Sequence, residues 1–152
     1  MMPEEEIVNR LKAGIGEENV LESSVPRARR VFAKINVKKL KEAIQFLKSE
    51  GYAHLSAITG LEVDNGIELL YHLNKEGIEL TLRVELPLNE AVAPTITDII
   101  PGAVLYEREV HDLLGVKFEG HPNLTRLILP DEWPENSHPL RKRKTSKETS
   151  SE

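Results

Sequence analysis

The apolar positions of this chain change period several times, and each change marks an element. Pro3 opens a helical pattern with Glu4, Glu5 and Glu6 at its positive end, and Ile7, Leu11 and Ile15 follow at i, i+4 and i+8 until Gly14 and Gly16 stop it. From Arg29 to Val37 the period becomes two. Val31, Ala33, Ile35 and Val37 alternate with Arg30, Phe32, Lys34 and Asn36, which predicts a strand. Leu40, Ala43, Ile44 and Leu47 recur at i, i+3, i+4 and i+7 and end at Gly51, the cleanest amphipathic helix of the chain. Three more strands are predicted. The first puts Ala53, Leu55, Ala57, Thr59, Leu61 and Val63 on one face and turns at Asp64-Asn65-Gly66. The second lines one face with Ile67, Leu69, Tyr71 and Leu73 and turns between Asn74 and Gly77. The third sets Ile78, Leu80, Leu82, Val84 and Leu86 against Glu79, Thr81, Arg83 and Glu85, and Pro87 ends it.

One apolar and one polar face per strand is the pattern of antiparallel sheets. The fold class is therefore α+β: β-α followed by an antiparallel β-meander, with helices on one face and an extended C-terminal arm. After Pro94 the texture changes. Pro101 and Gly102 precede a helix from Ala103 to Leu114, which Gly115 stops. His121-Pro122, an apolar run from Leu127 to Leu129 and a proline-rich stretch from Pro130 to Pro139 follow. This organisation predicts a core domain over 1–115. An arm over 116–140 is expected to lie extended on its own domain or on a partner. Residues 141–152 read as a polar, disordered tail.

A chain of 152 residues suits one domain, burying roughly 70% of its extended-chain surface. No apolar run approaches the ~18 residues of a membrane helix. The acidic start MMPEEEIVNR does not resemble a secretory signal, so the protein is expected to begin in the cytoplasm and to meet a membrane only indirectly. The chain has no cysteine, which excludes disulfides, thiolate metal sites, cysteine-held iron–sulfur clusters and thiol nucleophiles. A net charge of −5 argues against a general nucleic-acid binder. Abundant Glu and Lys, with Gln45 the only glutamine, is a hyperthermophile bias.

The chemistry-bearing residues gather between Tyr106 and Gly115. Tyr106, Val110 and Leu113 share a helix face with Glu109 beside it, while Arg108 and Asp112 lie four apart and can pair. A carboxylate beside a buried stripe needs a donor or it costs several kcal/mol. Arg126, Arg83 and His121 are the donors the sequence offers. Spacing alone leaves open a helix ion-paired to the sheet, a catalytic carboxylate pair and a metal site. Glu107 and Glu109, two apart, face different sides of a helix, which is poor geometry for a dyad. Gly14-Ile15-Gly16 closes a helix instead of opening one and reads as a stop, not a nucleotide loop. His54, His72, His111, His121 and His138 show no metal-ligand spacing. Arg27-Ala28-Arg29-Arg30 reads as a solvated strand edge, and Arg141 to Lys144 as a basic patch. Trp133 fits either an interface anchor or a cover over the core.

Three ordered blocks carry a resemblance. They are Glu107-Arg108-Glu109-x-x-Asp112-Leu113-Leu114-Gly115, then Gly120-His121-Pro122-Asn123-Leu124-Thr125-Arg126-Leu127-Ile128-Leu129-Pro130, then His138-Pro139-Leu140-Arg141-Lys142. With the lead-in from Pro94 to Ala103, they resemble the signature of the C (30-kDa) subunit family of respiratory complex I and its hydrogenase relatives. Leu114 stands where many members have Phe, Thr125 replaces the first of two basic residues, and His111 sits where an aromatic is common. The resemblance implies a structural and assembly subunit of the hydrophilic arm of a membrane-bound, ion-translocating oxidoreductase complex. The hydrogenase or sulfur-reducing type is favoured over an NADH:quinone oxidoreductase. It implies no catalytic, cofactor-binding or metal residue in this chain, with nickel–iron and iron–sulfur centres in the partners. Those partners are a hydrogenase-like large subunit, an iron–sulfur small subunit and membrane-anchor subunits, and the chain is placed peripherally on the cytoplasmic side. The network and partner-binding residues expected are Glu107, Arg108, Glu109, Asp112, Gly115, His121, Pro122, Arg126, Pro130, Trp133, His138, Pro139, Leu140, Arg141 and Lys142. Two rival readings are an enzyme using the carboxylates near Glu109 and a nucleic-acid or anionic-membrane adaptor acting through the basic tail.

Overall fold

The computed structural model of the chain describes residues 2–122. Helix α1 spans Pro3–Ile15, with Pro at its start, three acidic residues in its first turn, and Ile7, Val8, Leu11 and Ile15 buried. Glu4 does more than complement the helix dipole. Its Oε2 accepts the Arg29 N–H at 2.8 Å, which ties α1 to a hairpin and holds the Glu4 carboxyl below its ordinary range. That hairpin joins β1 (Val20–Arg27) to β2 (Arg30–Ile35). Helix α2 (Leu40–Ser49) buries Leu40, Ala43, Ile44 and Leu47, the stripe its period predicts. Strands β3 (His54–Val63), β4 (Gly66–Lys75) and β5 (Ile78–Pro87) form the expected antiparallel meander.

The sheet order is β1-β2-β5-β4-β3. Two features differ from the sequence expectation. First, β2 lies parallel to β5, so the sheet is mixed and α2 crosses it to reach β3 at the far edge. Second, β1 adds an edge strand that periodicity did not give. Its residues are almost all exposed and include Ser23, Ser24 and Pro26, so no apolar alternation marks it.

The register of β3 also departs from simple alternation. Leu55 pairs with Leu73 but Ala57 with His72, which leaves Ser56 as a bulge. Beyond it the inward residues are Ile58, Gly60 and Glu62, whereas Thr59 and Leu61 are exposed. The predicted Ala57–Thr59–Leu61–Val63 face is therefore turned outward, because one inserted residue exchanges the two faces of a strand.

The helices pack on the face formed by Val31, Ala33, Ile35, Ile67, Leu69, Tyr71, Leu73, Leu80, Leu82, Val84 and Leu86, all within one core cluster. The opposite face carries paired charges. A short parallel pair, β6 (Val92–Pro94) with β7 (Lys117–Glu119), lies beside α3 (Ala103–Leu114). Val116 and Phe118 are buried in the same core, so the folded body continues past Gly115.

Candidate functional site

Helix α3 buries Ala103, Glu107, Val110 and Leu114, a stripe at i, i+4, i+7 and i+11. It sits against β3 at Gly60, where an added Cβ would meet Leu114 Cδ1 at 2.6 Å and Val110 Cγ1 at 3.2 Å. Only glycine lets the helix come this close. Gly115 ends the helix in the left-handed region, at φ 77°, with its N–H bonded to His111 O.

This docking puts Glu107 in the core. Its side chain is 0% exposed. Glu107 Oε1 accepts the Thr95 hydroxyl at 2.6 Å and Oε2 accepts the Ile96 N–H at 2.9 Å. His121, whose imidazole is also buried, places Nε2 3.0 Å from Val104 O and 3.9 Å from Glu107 Oε1. A carbonyl can only accept, so His121 Nε2 carries a hydrogen. Burial pushes the Glu107 carboxyl up to about 7, and the charge of Asp98 adds to the rise. The Thr95 and Ile96 donors pull the other way without cancelling it. Tyr71 lies fully buried nearby. Its ionisation is pushed well up by burial first and by Glu107 second, and its hydroxyl has no hydrogen-bond partner among the described residues.

The sequence expectation placed Glu109 beside the buried stripe of Tyr106, Val110 and Leu113. Of the two glutamates, the buried one is Glu107 instead. Glu109 is exposed, and Tyr106 and Leu113 are only half-buried. Counting the period from Ala103 rather than Tyr106 finds the right stripe. Thr95 and Ile96 were missed as donors because a hydroxyl and a backbone amide leave no charge signature in a sequence. Of the three donors the sequence offered, His121 is adjacent and Arg83 is not. Arg83 lies on the opposite sheet face, where its Nη1 bonds Glu68 Oε1 at 3.0 Å and its guanidinium stacks 4.5 Å from the Phe32 ring centroid. Arg108 is half-buried, Asp112 is buried and Pro122 is exposed. Arg126, Pro130, Trp133, His138, Pro139, Leu140, Arg141 and Lys142 lie outside the described residues.

An enclosed carboxyl meets no substrate in this conformation. The open groove beside α3, about 550 Å³, is lined by Glu90, Val92, His111, Lys117, Phe118 and Glu119, without Glu107. Among the described residues no group of three or more His, Asp or Glu is placed to hold a metal ion, and no helix is long and apolar enough to cross a membrane. The arrangement acts as a clamp: α3 grips the loop before it through Glu107, and the chain at His121 through Val104.

Comparison with known proteins gives this geometry a family context. A profile described as "Respiratory-chain NADH dehydrogenase, 30 Kd subunit" matches residues 33–150. The membrane-bound hydrogenase subunit beta of Pyrococcus furiosus is 33% identical over 150 residues, covering 93% of this chain and 86% of that protein. The C/D subunit of the NADH-quinone oxidoreductase of Methylococcus capsulatus is 36% identical over 118 residues, and the match covers 68% of this chain and 20% of that protein. Among solved structures, the membrane-bound sulfane sulfur reductase, an archaeal respiratory membrane complex, superimposes with a TM-score of 0.79 at 30% identity. That match covers 91% of this chain and 83% of the other. A trypsin-resistant fragment of Nqo5 superimposes with a TM-score of 0.68 at 26% identity, covering 81% of this chain and all of the fragment.

Proposed function

Because the chain belongs to the family of the 30-kDa subunit of the respiratory-chain NADH dehydrogenase, we propose that it is a non-catalytic assembly subunit in the hydrophilic arm of a membrane-bound, ion-translocating oxidoreductase complex. The hydrogenase or sulfur-reducing type is favoured, because the Pyrococcus hydrogenase subunit and the sulfane sulfur reductase match over most of this chain. The chain would pack against a hydrogenase-like large subunit and an iron–sulfur small subunit, which hold the nickel–iron and iron–sulfur centres. It would lie peripherally on the cytoplasmic side, reaching the membrane through anchor subunits.

The observation that carries this reading is Glu107. A carboxylate that is closed off, bonded to a hydroxyl and an amide, and absent from the lining of the open groove supports a structural role over a catalytic one. Arg108 and Glu109 present the outer part of α3, with Asp112 buried along the helix and Gly115 at its end. His121 and Pro122 direct the chain toward residues 126–142, which meet the partners in this reading. The Arg126, Pro130, Trp133, His138, Pro139, Leu140, Arg141 and Lys142 side chains supply that contact.

The test is affinity purification of the tagged chain from detergent-solubilised native membranes. Large and small cluster-bearing subunits should elute with it in fixed ratio. Recovery of the chain alone, or with nucleic acid, would oppose the proposal.

A further inference from the structure

One end of the sheet gathers cations that the fold itself does not use. Elsewhere, Arg10 holds Glu50 at 2.8 Å, Lys34 holds Glu85 at 3.0 Å, Lys41 holds Asp98 at 2.8 Å and Arg83 holds Glu68 at 3.0 Å. Arg27, Arg29 and Arg30 sit together at the β1–β2 turn and form no ion pair within 4 Å among the described residues. Arg27 and Arg29 are exposed, and Arg30 is half-buried.

The turn is held firmly. Arg27 pairs with Arg30 across the two strands. The Arg29 N–H donates to Glu4 Oε2 at 2.8 Å, and the Arg29 carbonyl accepts the Glu79 N–H at 3.0 Å and Arg30 Nη1 at 3.1 Å. Arg29 itself lies in the left-handed region, at φ 64°. Glycine takes that conformation without strain, so the backbone gains nothing from an arginine there. The Arg29 guanidinium lies beside the β4–β5 turn, where a Cβ at Gly77 would meet its Nη1 at 3.2 Å. Neither the turn conformation nor an internal ion pair accounts for an arginine at this position. An anion from outside the chain does.

We infer that Arg27, Arg29 and Arg30 form a docking surface for a short acidic segment of another polypeptide. A guanidinium presents a planar fork of donors that matches a carboxylate, and a rigid turn loses little freedom when the contact forms. Carboxylates fence the turn. Glu4 is buried under it, Glu5 and Glu6 follow exposed on α1, and Glu76 is exposed in the neighbouring turn. Glu79 lies across from Arg30, with its Oε2 3.9 Å from His72 Nδ1. A short acidic segment fits inside that fence. A membrane or a duplex extends past it onto like charge, on a chain of net charge −5. Anionic membranes are also read by larger clusters, of about four to eight basic residues. This contact goes beyond the proposed function and stands without it. The turn precedes residues 33–150, which the family profile matches, and is separate in sequence from the 126–142 segment assigned to partners above.

The test is nitrogen-15 NMR of the full chain titrated with a hexaglutamate peptide at low salt. Saturable shifts should map to the amides of Arg27 to Arg30 and to arginine side-chain N–H signals, and should fade in about 0.5 M salt. Arg27→Gln/Arg29→Gly/Arg30→Gln should weaken binding about tenfold. Lys12→Gln/Lys38→Gln/Lys117→Gln, with the same change in net charge, should leave it level. Arg29→Gly alone should weaken binding about twofold while unfolding about 2 °C higher. A lower unfolding temperature with unchanged binding would assign Arg29 to the fold and overturn the inference. So would absent or scattered shifts in the wild type, a readout that needs no variant, or equal loss in both triple variants. Tighter binding of phosphatidylglycerol vesicles or of a DNA duplex through the same arginines would overturn the choice of a polypeptide. Membrane copurification of the wild type judges the family role separately, so the two readings fail independently.

Discussion

Glu68 and Glu107 are both withdrawn from solvent, one on each face of the same five-stranded sheet, and different chemistry holds them. Glu68, 7% exposed, takes Arg83 at 3.0 Å and Lys34 at 4.0 Å, with Glu22 and Glu85 completing a charged cluster across β1, β2, β4 and β5. Glu107, under α3, has a threonine hydroxyl and a peptide N–H. The open face meets a charge with a counter-charge at the edge of water. The helix-covered face meets it with neutral dipoles and shifts the equilibrium toward the proton instead. Stability on one face should therefore respond to salt, and on the other to pH.

The largest expected effect sharpens the pH side. Across pH 4.5 to 7 the native state holds a proton on Glu107 that the unfolded chain has released, so wild-type stability declines through that window. Relative to Glu107→Gln, the decline should reach up to about 3 kcal/mol. Urea unfolding of both proteins at several pH values checks it, and parallel curves would break the comparison. Next comes the helix contact itself. Gly60→Val forces Leu114 and Val110 aside and should cost about 2 kcal/mol by thermal or urea unfolding. On the open face, Arg83→Met leaves Glu68 with Lys34 alone. It should cost about 1 kcal/mol, discounted for partial exposure, and the loss should shrink in high salt. The smallest effect belongs to Lys41→Ala, which removes an exposed pair with Asp98. No resolvable change is expected from the same unfolding curves.

How far these regions were legible in the sequence follows from the same contrast. The apolar stripes of α1 and α2 and the inward faces of β2, β4 and β5 stand as periodicity gives them, because burial on one side repeats at the element's own period. Strand β1 was not legible, since an exposed edge has no buried side to write a pattern. The outward turn of Thr59 and Leu61 was hidden by one bulged residue, Ser56, which no local composition announces. At the site, the acidic–basic helix and its Gly115 stop could be read directly, and the family blocks pointed to the right relatives. Which glutamate enters the core could not be read from Glu107 and Glu109 alone. It is decided by Gly60, far earlier in the chain, which sets where α3 can lie. Arg83 was credible as a partner for α3 by charge, but its position on β5, next to the inward Leu82 and Val84, sends it to the other face.

In the proposed role the chain joins its neighbours through the residues that follow α3. The most direct test is a version ending at Pro122, expressed in place of the full chain and compared for thermal unfolding and for recovery with the large subunit from solubilised membranes. The expected result is an unfolding transition close to that of the intact protein, with the large subunit lost from the eluate. Recovery of the large subunit in undiminished ratio with the shortened chain would contradict it.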